Sequence, residues 1–144
     1  MTTATVLVDG PGFGEGPRWR DGQLWFSDFY RHAVFTVDED GTLVEHADLS
    51  DVADFRANDL ITDDTGRAWV DPEGGIWVAT ALHPKVIRYA EGGEFTGEVE
   101  TSQITYAVAL GGADGRTLFA ITAPSSDPGV VVGNTLGKVE IATV

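Results

Sequence analysis

Short runs in which apolar and polar residues alternate recur along the whole chain, each cut off by a turn rich in glycine and acidic residues. The first, residues 3–8, reads Thr-Ala-Thr-Val-Leu-Val and is closed by Asp9-Gly10-Pro11-Gly12. Residues 16–20, 24–29, 33–38 and 42–49 follow, separated by Asp21-Gly22, Tyr30-Arg31-His32 and Glu39-Asp40-Gly41. Alternation with a period of two puts apolar side chains on one face of a strand, and Asp-Gly between two such runs is hairpin chemistry. These four segments therefore predict one antiparallel meander, while residues 3–8 must pair with something distant.

The pattern then repeats. Asp63-Asp64-Thr65-Gly66-Arg67-Ala68-Trp69-Val70, Asp71-Pro72-Glu73-Gly74-Gly75-Ile76-Trp77-Val78 and Ala113-Asp114-Gly115-Arg116-Thr117-Leu118-Phe119-Ala120 each give an acidic turn, a glycine and a short apolar strand with an aromatic residue. Residues 85–89 and 95–100 supply a third and a fourth strand to the middle unit. Four-stranded units repeating every 40 to 50 residues or so are the signature of β-propeller blades. Two blade entries are butted together, however, because Gly66 and Gly75 stand only nine residues apart. Either a segment is missing between them or one irregular blade carries an extra hairpin, and the register over residues 54–71 stays open. In the last unit, residues 105–110, 117–123 and 138–144 are strands, with a loop over 124–137; its fourth strand is expected from residues 3–8, which leaves no free edge. No segment sustains a 3.6-residue apolar period, and residues 49–55 give at most a turn of helix. The expectation is all-β: a single domain over residues 1–144, a half-propeller of about three four-stranded antiparallel blades.

Composition narrows the chemistry. The chain has 144 residues, no cysteine, three scattered histidines and a formal charge of −14 from 23 acidic and nine basic residues. A metal would have to be held by oxygen or imidazole, and a zinc cage is disfavoured. The negative field repels nucleic acid and anionic membrane and favours divalent cations, although acidity also serves solubility. No run approaches the roughly 20 apolar residues of a membrane span, and the start of the chain lacks the basic flank and apolar core of a signal peptide. The expectation is a cytoplasmic protein with no nucleic-acid or membrane partner.

Glu15 is the first candidate for chemistry. It stands in Gly12-Phe13-Gly14-Glu15-Gly16-Pro17, where glycines let backbones crowd together; a solvated turn glutamate and a metal ligand both fit that pattern. Asp28, at a strand end, reads as a turn-satisfying carboxylate rather than a catalyst. His32, His46 and His83 have no partners at ligand spacing and read as surface or blade-edge residues. Trp19, Trp25, Trp69 and Trp77 fit blade-to-blade packing better than a sugar platform.

Five motifs carry a resemblance that runs from end to end. They are Phe13-Gly14-Glu15-Gly16-Pro17-Arg18-Trp19, Leu24-Trp25-Phe26-Ser27-Asp28-Phe29-Tyr30, Arg56-Ala57-Asn58-Asp59, Leu110-Gly111-Gly112-Ala113-Asp114-Gly115-Arg116-Thr117-Leu118-Phe119 and Gly137-Lys138-Val139-Glu140-Ile141. In these the chain resembles the gluconolactonase and regucalcin (senescence marker protein) family. That resemblance implies a six-bladed propeller about twice this long, a divalent metal on its axis and lactonase or related ester-hydrolase activity. By the family pattern, about one blade is absent after Gly41 and about two between Val70 and Asp71. The resemblance makes Glu15 a metal ligand. It also makes Arg56, Asn58 and Asp59 the wall of a pocket for a small lactone or sugar acid, with an Asx-turn and surface ion pair as the plainer alternative for Arg56 and Asn58. The family's Pro-Asn-Gly and Pro-Asp-Gly motifs, which bring the other two ligands and the general base, do not occur in this sequence, and Asp114 falls in a strand-joining turn, so no catalytic residue is assigned.

Three blades cannot close a ring. The expectation is therefore a homodimer that makes a six-bladed ring, with Glu15 and Asn58 of both copies as ligands for calcium or magnesium. Two functions remain open: a divalent-metal-dependent, gluconolactonase-like hydrolase with an incomplete ligand and base set, or a non-catalytic, self-assembling half-propeller scaffold.

Overall fold

The computed structural model describes residues 2–48, 71–90 and 94–144. Among the described residues, twelve strands and one helical turn follow one another: β1 (Thr2–Thr3), β2 (Thr5–Asp9), β3 (Gly14–Arg20), β4 (Gln23–Asp28), β5 (Ala33–Val37), β6 (Leu43–Asp48), β7 (Ile76–Ala79), β8 (Lys85–Tyr89), β9 (Phe95–Glu100), β10 (Ile104–Gly111), β11 (Thr117–Ala123), α1 (Pro128–Val131) and β12 (Lys138–Thr143). They form three four-stranded sheets, in the orders β3-β4-β5-β6, β1-β9-β8-β7 and β10-β11-β12-β2. The fold is all-β, with sheets of the size and hairpin order of propeller blades. Among the described residues, no helix is long and apolar enough to cross a membrane.

Alternation decides what each sheet buries. In the first sheet, Leu24 pairs with Val37 and Phe26 with Phe35, so all four share a face, and each is at most 3% exposed. That face packs on Ala109, Phe119, Ile121 and Val139 of the last sheet. Trp19 stacks on Phe119 across this contact, with ring centroids 5.0 Å apart, an arrangement worth about 1 kcal/mol beyond the area it buries. The other face of the last sheet presents Val108, Leu110, Leu118, Ala120 and Ala142 to Trp77, Val86 and Val99 of the middle sheet. The last sheet is thus covered on both sides, which is why β11 is buried at every position after Thr117.

Residues 2–9 differ from expectation. They do not make one strand over residues 3–8 but split at Ala4: Thr2 and Thr3 lie parallel to Val99 and Glu100 of β9, and β2 runs antiparallel to β12. The middle sheet is therefore mixed rather than wholly antiparallel. The reason is edge protection, since β9 and β12 would each otherwise offer unpaired backbone groups. Trp69 and the register over residues 54–70 lie outside the described residues.

Candidate functional site

Glu15 sits inside β3, one residue from its start, rather than in a turn ahead of the strand. Gly14 lets β3 lie close to the last sheet, because a Cβ there would meet Ile121 Cγ2 at 2.6 Å. After Glu15 the pairing with β4 slips: Glu15 opposes Ser27, yet the next partners are Arg18 and Trp25. Gly16, at φ 56°, and Pro17 occupy this bulge, a device that turns side chains away from the regular pleat. Ser27 Oγ donates to the Glu15 carbonyl at 3.3 Å. Glu15 is half-buried.

The inner strands of the sheets meet at this end of the molecule. Phe13, just ahead of β3, packs its ring 4.8 Å from that of Tyr106 near the start of β10, and it joins Phe29, Tyr30, Ala123 and Val131 in a small apolar cluster. The connection between β7 and β8 reaches the same place, with Ala81 N–H donating to the Thr105 carbonyl at 2.9 Å.

Asp28 is a structural carboxylate, fully buried. It accepts from the backbone N–H groups of Gly12 at 2.6 Å, Phe13 at 3.2 Å and Arg31 at 3.3 Å, so it knots the turn after β4 to the loop that leads into β3. Asp114 accepts from Arg116 N–H at 3.0 Å within the β10–β11 turn. His46 is exposed and lies edge-on to Trp25 at 4.4 Å. His83 is exposed too, and its carbonyl accepts from Thr80 Oγ1 at 2.9 Å. Arg56, Asn58 and Asp59, the expected substrate wall and second ligand, lie outside the described residues. Among the described residues, no group of three or more His, Cys, Asp or Glu side chains gathers where it could hold a metal ion. Among the described residues, then, Glu15 belongs to no such group.

Glu140, part of the closing motif, is a second buried carboxylate at this end of the molecule. It is fully buried in β12 and accepts from Ser102 N–H at 2.8 Å, Ser102 Oγ at 2.9 Å and Thr122 Oγ1 at 2.8 Å. Lys138 Nζ donates to the same Ser102 hydroxyl at 3.3 Å. This knot fixes the link between β9 and β10, beside the Glu15 end. The available signal was one acid in the apolar run Val139-Glu140-Ile141-Ala142, a position where a carboxylate has to be satisfied internally.

Comparison with known proteins places part of the chain. The family model described as the SMP-30/gluconolactonase/LRE-like region matches residues 68–124. No curated protein matches the chain. Among solved structures, a luciferin-regenerating enzyme is 16% identical with a TM-score of 0.42, covering 92% of this chain and 45% of its own. A calcium-binding protein, regucalcin, from Agrobacterium tumefaciens is 17% identical with a TM-score of 0.39, covering 99% of this chain and 45% of its own. A streptogramin B lyase is 20% identical with a TM-score of 0.32, covering 85% and 42%. The chain spans less than half the length of these structures. Over residues 68–124, then, the chain is similar to the SMP-30/gluconolactonase/LRE-like region.

Proposed function

We propose that the chain is one half of a gluconolactonase-like lactone hydrolase and that two copies close a six-bladed ring. The observation that carries this reading is the order of packing: the last sheet is covered on both faces, while the first and middle sheets each keep one face turned away from it. Those outward faces are not polar throughout. Val44 on β6 is 48% exposed and Val78 on β7 is 43% exposed. Rings of blades close with four to eight members, and a two-fold axis lets the first sheet of each copy cover the middle sheet of the other.

In that ring the Glu15 residues of both copies approach the axis, with Asn58 and the Arg56 and Asp59 side chains completing a pocket for a small lactone or sugar acid. Calcium or magnesium is the cation suited to such oxygen ligands. Because the described residues of one chain do not assemble a metal site, the pairing comes first and the chemistry depends on it.

Sedimentation equilibrium at micromolar concentration is expected to give twice the chain mass. A lactone-hydrolysis assay with and without calcium or magnesium then tests the activity, with Glu15→Gln expected to lose it. A folded monomer overturns the pairing. A dimer with neither hydrolysis nor heat on cation titration leaves the non-catalytic scaffold instead.

A further inference from the structure

The chain contains four Asp-Gly steps: Asp9-Gly10, Asp21-Gly22, Asp40-Gly41 and Asp114-Gly115. At such a step the glycine nitrogen, on a residue with no side chain to obstruct it, can reach the carboxyl carbon of the preceding aspartate and close a five-membered ring. Closure brings that nitrogen level with the aspartate Cβ, which puts the aspartate ψ at about −120°, the value of the first central residue in a type II′ turn. By sequence the four steps are alike, and the fold separates them.

Two are fastened through the nitrogen itself. Gly41 N–H donates to the Asp38 carbonyl at 3.1 Å and Gly115 N–H to the Gly112 carbonyl at 3.3 Å; Asp114 Oδ1 also accepts from Arg116 N–H at 3.0 Å. Gly41 is hemmed in besides, since a Cβ there would meet the Leu7 carbonyl oxygen at 2.7 Å. Asp9 is held by its pairing with Lys138 of β12, and Gly10 lies against Leu43.

Asp21-Gly22 differs on each count. Arg20 pairs with Gln23, so these two residues make up the whole turn between β3 and β4 and stand outside the ladder. Their φ values of 52° and 77° are both positive, as a type I′ turn requires. Among the described residues, the Gly22 N–H donates to no group, and nothing lies within 4 Å of the place a Gly22 Cβ would take. The Asp21 side chain is 82% exposed, and its ion pair with Arg20 Nε, at 3.3 Å, joins it to a side chain 58% exposed, a pair of little strength in water. Flipping the peptide plane between Asp21 and Gly22 turns type I′ into type II′ and leaves the strands on either side in place. That flip breaks no hydrogen bond of Gly22, and it carries the Asp21 ψ to the ring-closing value.

We propose that Asp21 is the site at which this chain converts, without an enzyme, to isoaspartate. The Gly22 nitrogen attacks the Asp21 carboxyl carbon. The new C–N bond forms as the carboxyl C–OH bond breaks, and the hydroxyl leaves as water with the amide proton. One water then adds back to the imide. Opening the bond to the side-chain carbonyl restores aspartate, whereas opening the bond to the main-chain carbonyl routes the backbone through the side chain and makes it one methylene longer between Arg20 and Gln23. The longer turn loosens the adjoining Trp19–Leu24 pair and with it the stack of Trp19 on Phe119. The site stands independently of lactone hydrolysis at Glu15.

The test ages the folded chain for several weeks in mildly acidic buffer. Chymotryptic peptides are then read by electron-transfer fragmentation, which splits the Cα–Cβ bond of an isoaspartyl residue and not that of an aspartyl one. Isoaspartate at Asp21 is expected to exceed that at Asp9, Asp40 or Asp114 by at least about fivefold, the factor supplied by one backbone hydrogen bond that need not be broken. In urea the four steps are expected to modify alike. Asp21→Asn, which closes the same ring by losing ammonia, is expected to turn into the acid while folded, and Asp21→Glu, whose ring would have six members, to stay unmodified there. Ageing is expected to lower the melting temperature of wild type and not that of Asp21→Glu. The proposal is overturned if the folded wild type modifies the four steps alike or another of them faster, if folded Asp21→Asn keeps its amide, or if ageing lowers both melting temperatures equally.

Discussion

Asp71 accepts from five donors: the backbone N–H groups of Glu73 at 3.1 Å and Gly75 at 2.8 Å, Trp77 Nε1 at 2.9 Å, and Arg88 Nε at 2.6 Å and Nη2 at 2.9 Å. Its side chain is 4% exposed and that of Arg88 21%. The Arg88 hydrogen bonds, helped by the Gly75 amide and the Trp77 indole against the cost of burial, hold the Asp71 carboxyl well below its ordinary value of 3.8, and the same pairing raises Arg88. A carboxyl depressed in the folded state contributes stability that is fully present above that ordinary value and drains away as the pH falls toward the folded one. Asp71→Asn is expected to cost about 2 kcal/mol at pH 7, because it leaves a partly buried guanidinium with a weaker partner. In thermal melts from pH 7 to pH 3, the gap between wild type and variant should narrow below about pH 4; a gap constant across that range would remove the ion pair as its cause. Glu140 is a second buried carboxylate, held by uncharged donors alone. Glu140→Ala strands the Ser102 N–H and the Ser102 and Thr122 hydroxyls, at a cost of about 3 kcal/mol. Amide exchange at Ser102 reports it, and protection equal to wild type would mean that another acceptor holds that loop.

Among the elements, those of residues 2–9 do the most with the least chain. β1 contributes two residues to β9, Ala4 N–H donates to the Glu100 carbonyl at 2.7 Å, and β2 closes β12. One short segment therefore covers two edges belonging to two sheets. A variant lacking residues 2–9 exposes both edges and is expected to aggregate on warming at temperatures where the full chain stays clear, as followed by light scattering. Unchanged scattering and an unchanged melting temperature would show that these edges are protected by something else. β3 is the other element with a double task. Beyond its bulge Trp19 stacks on Phe119, while ahead of it Glu15 stays paired with Ser27.

For the molecule as a whole, the decisive feature is an asymmetry of cover. The last sheet is sandwiched, and the outer two sheets are each packed on one side by it. Val44 and Val78 mark the opposite sides. A glutamate at either place puts a charge into the proposed contact between copies, whereas in a lone chain it points to solvent. Val44→Glu and Val78→Glu are thus each expected to yield monomers that keep a wild-type circular dichroism spectrum, measured by sedimentation velocity. Dimers that survive both substitutions would place the contact elsewhere. Arg116, raised by its hydrogen bond to Glu73, ties the β10–β11 turn of the last sheet to the turn before β7, so the two sheets are linked at their rims as well as through their core.

The succession of strands was legible because local rules produce it. Alternation from Leu24 to Val37 fixes which side chains share a face, and Asp21-Gly22 or Ala113-Asp114-Gly115 can only reverse the chain. Asp28 was legible as a turn carboxylate for the same reason: its donors are near in sequence or at a neighbouring strand end. The partner of Thr2-Thr3 was not legible, since a two-residue strand has no period of its own and pairs with whichever edge lies bare. Nor were the Asp71–Arg88 pair, separated by 17 positions, or the Glu140 knot to Ser102, separated by 38. The alternating pattern of this sequence by itself determined the faces and turns of the longer described strands, β3 to β12. Which sheet covers which, and which buried carboxylate meets which donor, came from packing distant segments together, where hydrogen bonds and ion pairs depend on separation in space and local periodicity carries no record of it.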